Sequence, residues 1–245
     1  MAKKATAIEV LYEDDHLIVL NKAAGLLSIP DRFDLEKTNL YHLLRSRVEK
    51  PYIVHRLDRE TSGIICFAKG EVAHKKLSEQ FAEHHVEKYY LTLVEGHPHP
   101  GAGRIDKPIG KHPSIAGKMI IHKKGKASIT DYQTLETFKN YSLVEANIHT
   151  GRTHQIRVHF EGLGHPLVVD AVYGRQEAFF LSSLKLRRYK LRRDAEERPL
   201  MSRTTLHSWR LRLDHPHTGE RMEWTAPPPK DFKALLQQLR KWAAV

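Results

Sequence analysis

The start of the chain carries the apolar–polar pattern of two β-strands. Ile8, Val10 and Tyr12 alternate with polar residues, and a continuous apolar run follows at 17–20. An acidic turn at 13–16 separates the two segments, which predicts a pair of strands joined at that turn. A later apolar run, 64–68, predicts a core strand.

Four segments carry helical patterning. Thr38 is in position to cap a short helix, and 71–84 is amphipathic, with apolar residues four apart. The stretch "GRTHQIRVHFEG" starts after Thr150 and ends at Gly162, which predicts a capped helix. The segment "PPPKDFKALLQQLRKW" predicts a helix that starts after prolines. In the short helix that Thr38 is predicted to cap, the apolar face consists of Leu40, Leu43, Leu44 and Val48.

The remaining pattern is dominated by strands. "KYYLTLVEG" predicts one strand, alternation over 129–138 and 143–148 predicts two more, and "LHSWRLRLDHPHTGERMEWTA" predicts a hairpin. Residues 97–126 predict a loop with a short hairpin, and 174–205 shows the least regular pattern. Strands outnumber helices without regular alternation, so the sequence predicts an α+β fold with a largely antiparallel mixed sheet flanked by helices. We expect an N-terminal tail at 1–7 and a single domain over 8–245, with a basic insert at 174–205.

The charge balance favours a polyanionic partner. Lys and Arg number 40 against 29 Asp and Glu, which gives a formal net charge of +11 in a chain of 245 residues. This excess points to nucleic acid as the partner. One cysteine, Cys66, allows no internal disulfide, and no segment has the length and apolarity of a signal peptide or a membrane span. We therefore expect a cytoplasmic protein.

Two common kinds of catalytic centre are disfavoured. The 17 histidines do not stand at metal-ligand spacing, since His149, His154 and His159 are five apart and share no helix face. Ser62, His55 and Asp58 are close in the sequence, but the G-x-S-x-G pattern of a nucleophilic serine is absent. No glycine-rich phosphate loop is present either.

Three polar features remain as candidates for chemistry. Asp58 lies between Arg56 and Arg59, directly before the core strand; a simpler interpretation is a surface ion pair. "TGRTHQIRVH" places basic residues around the first turns of a predicted helix, which is also typical of a solvated face. "EKYYLTLVEG" places Lys88 and Tyr90 on one strand face, where a half-buried aromatic is the simpler interpretation.

Taken together, these stretches resemble the RluA family of pseudouridine synthases. The family pattern H-R-L-D-x-x-T-S-G stands unbroken in "HRLDRETSGIICFAK", and T-G-R-T-H-Q-I-R-x-H stands unbroken in "TGRTHQIRVH". The opening motif appears as "VLYEDDHLIVLNKAAG", with Ala23 in the usual proline place. "GHPLVVDAVYG" carries Val169 where glycine is common, and "LHSWRLRLDHPHTGE" matches the last hairpin. The resemblance runs from about Ile8 to the C-terminus.

The resemblance implies that the protein isomerises a uridine in RNA without a cofactor or metal. Asp58 is then the catalytic carboxylate, Arg157 its ion-pair partner and Tyr90 the ring that stacks on the flipped uracil. Whether the carboxylate attacks the sugar, attacks the base or abstracts a proton stays open. The substrate-binding residues implied by the same motifs are His55, Arg56, Leu57, Thr61, Lys88, Arg152, His154 and Ile156.

The resemblance also implies a central RNA-binding cleft and a ribosomal or transfer RNA substrate, with a stem-loop as the expected element. We expect a monomer that binds neither DNA nor membranes, and no separate RNA-binding domain before the catalytic domain. The basic block at 184–193 is either a solvated insert or an RNA contact. Its cations are Lys185, Arg187, Arg188, Lys190, Arg192 and Arg193. The alternative function is a non-catalytic RNA-binding protein with the same fold.

Overall fold

The computed structural model describes residues 8–31, 34, 36–190 and 196–245 of the chain. The predicted tail at 1–7 and two cations of the basic block, Arg192 and Arg193, lie outside the described residues. So does the side chain of Arg188.

The chain forms two compact units, each built from two separate segments. The first unit combines the chain up to Lys88 with Ser208–Pro227, and the second combines Tyr89–His207 with Pro228–Val245. Two of the three boundaries, 88/89 and 207/208, fall inside strands, so each of those two strands contributes residues to both units. The single domain expected over 8–245 stays a prediction.

The strands in chain order are β1 (Glu9–Glu13), β2 (Leu17–Lys22), β3 (Tyr52–Ile53), β4 (Ser62–Ala68), β5 (Glu87–Glu95), β6 (Ala102–Asp106), β7 (Ile109–Lys111), β8 (Met119–Ile121), β9 (Ile129–Thr137), β10 (Tyr141–Ile148), β11 (Leu206–Asp214) and β12 (Arg221–Thr225). The helices are α1 (Leu40–Leu44), α2 (Glu71–Ala82), α3 (Gln155–Gly162), α4 (Leu181–Lys185) and α5 (Lys230–Trp242).

The first unit is a sheet with the strand order β1-β2-β4-β11, extended by β12 on β11 and by β3 on β4. β1 and β2 pair antiparallel around the predicted acidic turn, and β2 pairs antiparallel with β4. Every residue of β4 is buried, as expected for a core strand. The core of this unit forms where α2 places Ala73 and Leu77 against apolar side chains of β2, β4 and β11.

The second unit is a sheet with the strand order β5-β10-β9-β6. All three of its strand pairs are antiparallel. β7 and β8 form a separate antiparallel hairpin, which is the short hairpin predicted within residues 97–126. β6 was not predicted, because Ile105 is its one large apolar residue, so the sequence AGRID shows no apolar alternation even though its burial alternates.

Two predicted helix starts are wrong. α1 is capped by Asn39, whose side chain accepts a hydrogen bond from the His42 N–H, and not by Thr38. α3 begins at Gln155 rather than just after Thr150, because His154 adopts a left-handed conformation with φ 57° and ends the preceding turn. As a result Arg152 and His154 lie before the helix.

Two contacts fix described residues of the basic insert. Phe179 is fully buried and its N–H donates to the Met201 carbonyl, which joins the two ends of the segment. The ammonium group of Lys185 lies 4.8 Å from the ring centroid of Trp242 on α5. One of the six cations is thus engaged within the protein, and RNA binding by this block stays a prediction.

Strands outnumber helices in the described residues and the strand pairs of both units are largely antiparallel, so the predicted α+β class is confirmed. Across the described part of the chain, no helix combines the length and apolarity needed to cross a membrane.

We predict that Gly63→Ala is strongly destabilising. Gly63 has φ 109°, and a Cβ atom added there would lie 1.9 Å from the Ser208 carbonyl oxygen in β11. The matched control is Gly219→Ala in the β11–β12 turn, where φ is 75° and no atom lies within 4 Å of the added Cβ. We expect a loss of about 1–2 kcal/mol in the free energy of unfolding for Gly219→Ala, and about 3 kcal/mol or more for Gly63→Ala. Equal losses in denaturant unfolding would contradict the close contact with Ser208.

Candidate active site

Asp58 lies in a loop that leads directly into β4. The Thr61 N–H donates to the Asp58 carbonyl oxygen at 3.1 Å, which forms a turn between the candidate carboxylate and the strand. Leu57 and Thr61 are buried, whereas Arg56 is exposed and Asp58 itself is partly exposed. The loop therefore buries the Leu57 side chain and leaves the Asp58 carboxylate at the edge of the core.

The residue before Asp58 is held by a serine. The Leu57 N–H donates to Ser28 Oγ at 3.0 Å, and Ser28 Oγ donates back to the Leu57 carbonyl oxygen at 2.8 Å. Both residues are buried, so water does not compete for these bonds. Ser28, Leu57 and Arg56 also line a pocket of about 260 Å³ in the first unit.

The residue after Asp58 is held by a buried lysine. Lys22 is 1% exposed, and its ammonium group donates to the carbonyl oxygens of Ala23, Leu26 and Arg59 at 2.7–3.1 Å. The Gly25 N–H donates to the same Arg59 oxygen at 2.8 Å. A buried ammonium needs such acceptors, because it has lost its hydration. Both backbone neighbours of Asp58 are thus fixed by the segment 22–28.

Contacts with the core strand β4 and with α2 orient the His55 ring. Its Nε2 accepts a hydrogen bond from the Cys66 N–H at 3.0 Å, and its ring stacks on Phe81 of α2 with the ring centroids 4.7 Å apart. Burial, together with the positive charge of Lys88, lowers the pKa of His55 to about 3. Burial also lowers the pKa of Lys88 to about 8. His55 is therefore neutral near pH 7, and its role as a substrate contact stays a prediction.

Arg157 forms a buried ion pair within the second unit. Its Nε and Nη2 donate to the two carboxylate oxygens of Asp170 at 2.6 and 2.8 Å. Arg157 is 7% exposed and Asp170 is 1% exposed. Asp170 also accepts hydrogen bonds from the N–H groups of Val172 and Tyr173. Burial opposes ionisation of Asp170, but the guanidinium and these N–H donors hold the pKa of Asp170 below its usual value.

Tyr173 connects Arg157 to the turn before α3. The Arg157 guanidinium lies 4.9 Å from the centroid of the Tyr173 ring, a cation–π arrangement. The Tyr173 hydroxyl accepts from the Met119 N–H at 2.8 Å and is hydrogen-bonded to His154 Nδ1 at 2.9 Å. The left-handed His154 is thus fixed by its side chain, and Arg157 is enclosed between Asp170 and an aromatic ring.

Gln155 organises the rest of the turn. Its side-chain oxygen accepts from Thr150 Oγ1 and from the Arg152 N–H, and its amide nitrogen donates to the Ile129 carbonyl and to Thr130 Oγ1. Ile156 next to it is 3% exposed and packs inside. The motif "TGRTHQIRVH" is therefore a turn fixed by one buried amide, followed by a helix that carries Arg157 into the interior.

The predicted site residues divide between the two units. Asp58, His55, Arg56, Leu57, Thr61 and Lys88 belong to the first unit. Tyr90, Arg152, His154, Ile156 and Arg157 belong to the second. Tyr90 is 6% exposed and lies on β5 opposite Ala146 of β10. The joint site of Asp58, Tyr90 and Arg157 stays a prediction.

Comparison with known proteins identifies the family. The family model described as RNA pseudouridylate synthase matches residues 16–162, which is more than half of the chain. A relative from Nitrosomonas europaea, ribosomal large subunit pseudouridine synthase D, is 39% identical over 242 residues, covering 97% of this chain and 67% of the relative.

The chain belongs to the RNA pseudouridylate synthase family. The resemblance to the RluA family is thereby confirmed.

Solved structures of the family carry the same fold. Human RNA pseudouridylate synthase domain containing 1 superposes with a TM-score of 0.69 at 31% identity, over 94% of this chain and 87% of that chain. Human RNA pseudouridylate synthase domain containing 4 superposes with a TM-score of 0.72 at 27% identity, over 95% of this chain and 93% of that chain. The predicted pseudouridine synthase fold is confirmed.

Sequence reasoning did not assign a role to several residues that this family member uses to fix its motifs. They are Lys22, Ser28, Gln155, Asp170 and Tyr173. All but Ser28 lie inside stretches that match family motifs, so a motif search finds their positions. Many of the groups that these side chains contact lie far away in the sequence, and a motif search does not find those contacts. In the described residues no group of three or more His, Cys, Asp or Glu side chains is arranged to hold a metal.

We predict that Asp170→Asn destabilises the second unit by about 3–5 kcal/mol, because it removes a charge partner of a buried guanidinium. The matched control is Asp131→Asn. Asp131 forms the same two-bond pair with Arg104, but the two side chains are 35% and 59% exposed. We expect Asp131→Asn to cost about 1 kcal/mol or less. The measurement is the free energy of unfolding in denaturant at pH 7.

The pH dependence provides a second test of this ion pair. The pKa of Asp170 is lower in the folded protein, so its stabilisation is full above the unfolded pKa of about 4 and is lost as pH falls through the folded value. The stability difference between wild type and Asp170→Asn should therefore shrink in acid. A difference that is constant between pH 7 and acid would contradict the ion pair.

Proposed function

We propose that the protein converts a specific uridine of ribosomal RNA into pseudouridine, with Asp58 as the catalytic carboxylate. Family membership supports the reaction, and the name of the relative from Nitrosomonas europaea supports ribosomal RNA as the substrate. The structure of the loop around Asp58 is the observation that supports its assignment. Buried side chains fix the backbone on both sides of this partly exposed carboxylate. A catalytic group must be held at a fixed position relative to the reacting atom, and a rigid loop provides this.

The reaction rearranges one nucleotide. The bond from uracil N1 to ribose C1′ breaks, the uracil turns within the site, and C5 joins to C1′. The proton on C5 leaves and N1 ends with a proton, so atoms and charge balance without a cofactor. Asp58 provides the carboxylate for this sequence, as nucleophile or as base.

We propose that Arg157 pairs with Asp58 while Asp170 holds Arg157 from its other side. A guanidinium carries five N–H donors in a planar fork, and Asp170 accepts two of them. The remaining donors give Arg157 the capacity to serve a second carboxylate. A guanidinium fixed in this way would present a positive charge to the Asp58 carboxylate in a defined geometry.

The other site residues are proposed to receive the flipped base and the RNA backbone. Tyr90 stacks on the uracil, and Ile156 adds apolar surface to the pocket. Extrusion of a base from a folded RNA costs a few kcal/mol, which backbone contacts offset. Arg56, which is exposed, occupies the vacated position in the RNA, and Lys88, Arg152 and His154 contribute polar contacts.

The direct test is incubation with unmodified transcripts of ribosomal RNA and of transfer RNA, followed by chemical detection of pseudouridine. We expect pseudouridine at one position of the ribosomal RNA. Modification of transfer RNA alone would contradict the ribosomal substrate. RNA binding without pseudouridine in either transcript would instead support the non-catalytic alternative.

We predict that Asp58→Asn and Asp58→Ala abolish pseudouridine formation and leave RNA binding and unfolding nearly unchanged, because Asp58 is partly exposed and Asp170 stays paired with the Arg157 guanidinium. The control is Asp15→Asn, which removes one negative charge from an exposed turn of the same unit. Single-turnover rates with excess enzyme provide the measurement. A rate for Asp58→Ala within about tenfold of wild type would show that another group supplies the reaction.

We predict that Arg157→Met nearly eliminates turnover, because the variant removes the cation proposed to pair with the Asp58 carboxylate. Arg157→Lys should keep part of the activity, because it retains the charge but not the fork that binds two carboxylates. If Arg157 serves Asp170 alone, both variants lose stability but keep the wild-type single-turnover rate. Single-turnover rates, compared with the free energies of unfolding, separate these two outcomes.

A further inference from the structure

A basic pocket of about 380 Å³ lies in the second unit, between the β7–β8 hairpin and the turn before α3. Its cationic lining consists of Lys111, Lys124, Lys126 and Arg152. The described residues that line it include no carboxylate. The three lysines are exposed, and no described ion pair joins any of the four cations to an acid. The pocket therefore concentrates positive charge that the protein itself does not neutralise.

The β7–β8 hairpin, which carries Lys111, and the turn after β8, which carries Lys124 and Lys126, have a fixed backbone. Ile109 and Lys126 exchange two backbone hydrogen bonds, each of 2.9 Å. A Cβ atom on Gly125 would lie 2.4 Å from the Ile109 carbonyl carbon, so only glycine allows this close approach of the two chain segments. Ile109 itself packs against Val158 of α3 and against Tyr173. The lysines thus extend from a rigid platform joined to α3.

Arg152 is directed to the same pocket from the other side. Its Nε donates to the Ala127 carbonyl oxygen at 3.2 Å, and its N–H is held by Gln155. Gly151 and Thr153 complete this wall of the pocket. The same turn continues into His154 and Arg157, and Tyr173 contacts both the hairpin, through Met119, and Arg157. The pocket and the proposed catalytic arginine therefore share one rigid framework.

We infer that this pocket binds backbone phosphates of the RNA substrate. The inference deepens the proposed function and depends on it. Three exposed lysine ammonium groups and one guanidinium, spread around an open pocket, fit several phosphates of one strand better than a single small anion. Contacts of this kind give affinity without base specificity, and they orient the strand relative to Arg157.

Salt dependence of binding is the measurement that reports phosphate contacts. The test variant is Lys111→Ala combined with Lys124→Ala, which removes two charges at the pocket wall and leaves the Ile109–Lys126 backbone pairing intact. The control is Lys139→Ala combined with Lys233→Ala, two exposed lysines of the same unit that do not line the pocket. Both variants carry the same net charge, so long-range attraction of RNA is equal in the two.

Kd for an unmodified large-subunit ribosomal RNA transcript is measured at a series of KCl concentrations. We expect the test variant to bind at least about tenfold more weakly at low salt, and its slope of log K against log salt to flatten by about 1.4, or 0.7 for each lost phosphate contact. The control pair should retain the wild-type slope. A test variant with the Kd and slope of the control would overturn the inference, provided that thermal unfolding shows both to be folded. If the wild type binds this RNA without forming pseudouridine, the proposed function fails, while the slopes still decide whether the pocket binds RNA.

Discussion

The ion pair of Arg157 and Asp170 is the constraint on which the second unit's half of the candidate site depends. A guanidinium and a carboxylate that are both almost fully buried have lost their hydration, and only a close two-bond geometry with further hydrogen bonds compensates for that loss. Asp170 meets this requirement with two additional N–H donors, and Tyr173 covers the open face of the guanidinium. The position of Arg157 is therefore as rigid as the core around it.

In the first unit, backbone carbonyl oxygens compensate for the lost hydration of a buried cation. Lys22 is a buried cation, and three carbonyl oxygens accept hydrogen bonds from its ammonium group. Together with Ser28 it fixes the chain on both sides of Asp58, while the Asp58 side chain itself remains at the edge of the core. In both units a buried polar group holds the backbone or the charge next to a motif residue. Residues of these motifs therefore stabilise the local fold, in addition to those that are candidates for catalysis.

Local pattern was sufficient to predict most elements, and long-range contacts account for what it missed. The runs that form β2 and β4 and the amphipathic α2 are visible in the sequence because burial alone determines them. The start of α3 was misplaced because the buried amide of Gln155, and not helix propensity, fixes the preceding turn. The partner of Arg157 lies 13 residues further along the chain, in a stretch that shows an isolated aspartate and no periodicity. Motif similarity could predict Asp58, Tyr90 and Arg157 as candidates, but not the side chains that hold them.

The division of each unit into two chain segments affects the order in which the protein can fold during synthesis. Ser208 donates to the Ile64 carbonyl oxygen across a separation of 144 residues, and β4 has β11 as its sheet neighbour. When β4 leaves the ribosome, β11 has not been made, so the β4 residues that pair with β11 lack this neighbour while the whole of Tyr89–His207 is translated. The second unit likewise needs α5 from Pro228–Val245. Neither unit can finish folding early, so the apolar strand beside Asp58 is open to aggregation on the nascent chain until Ser208–Pro227 has been made.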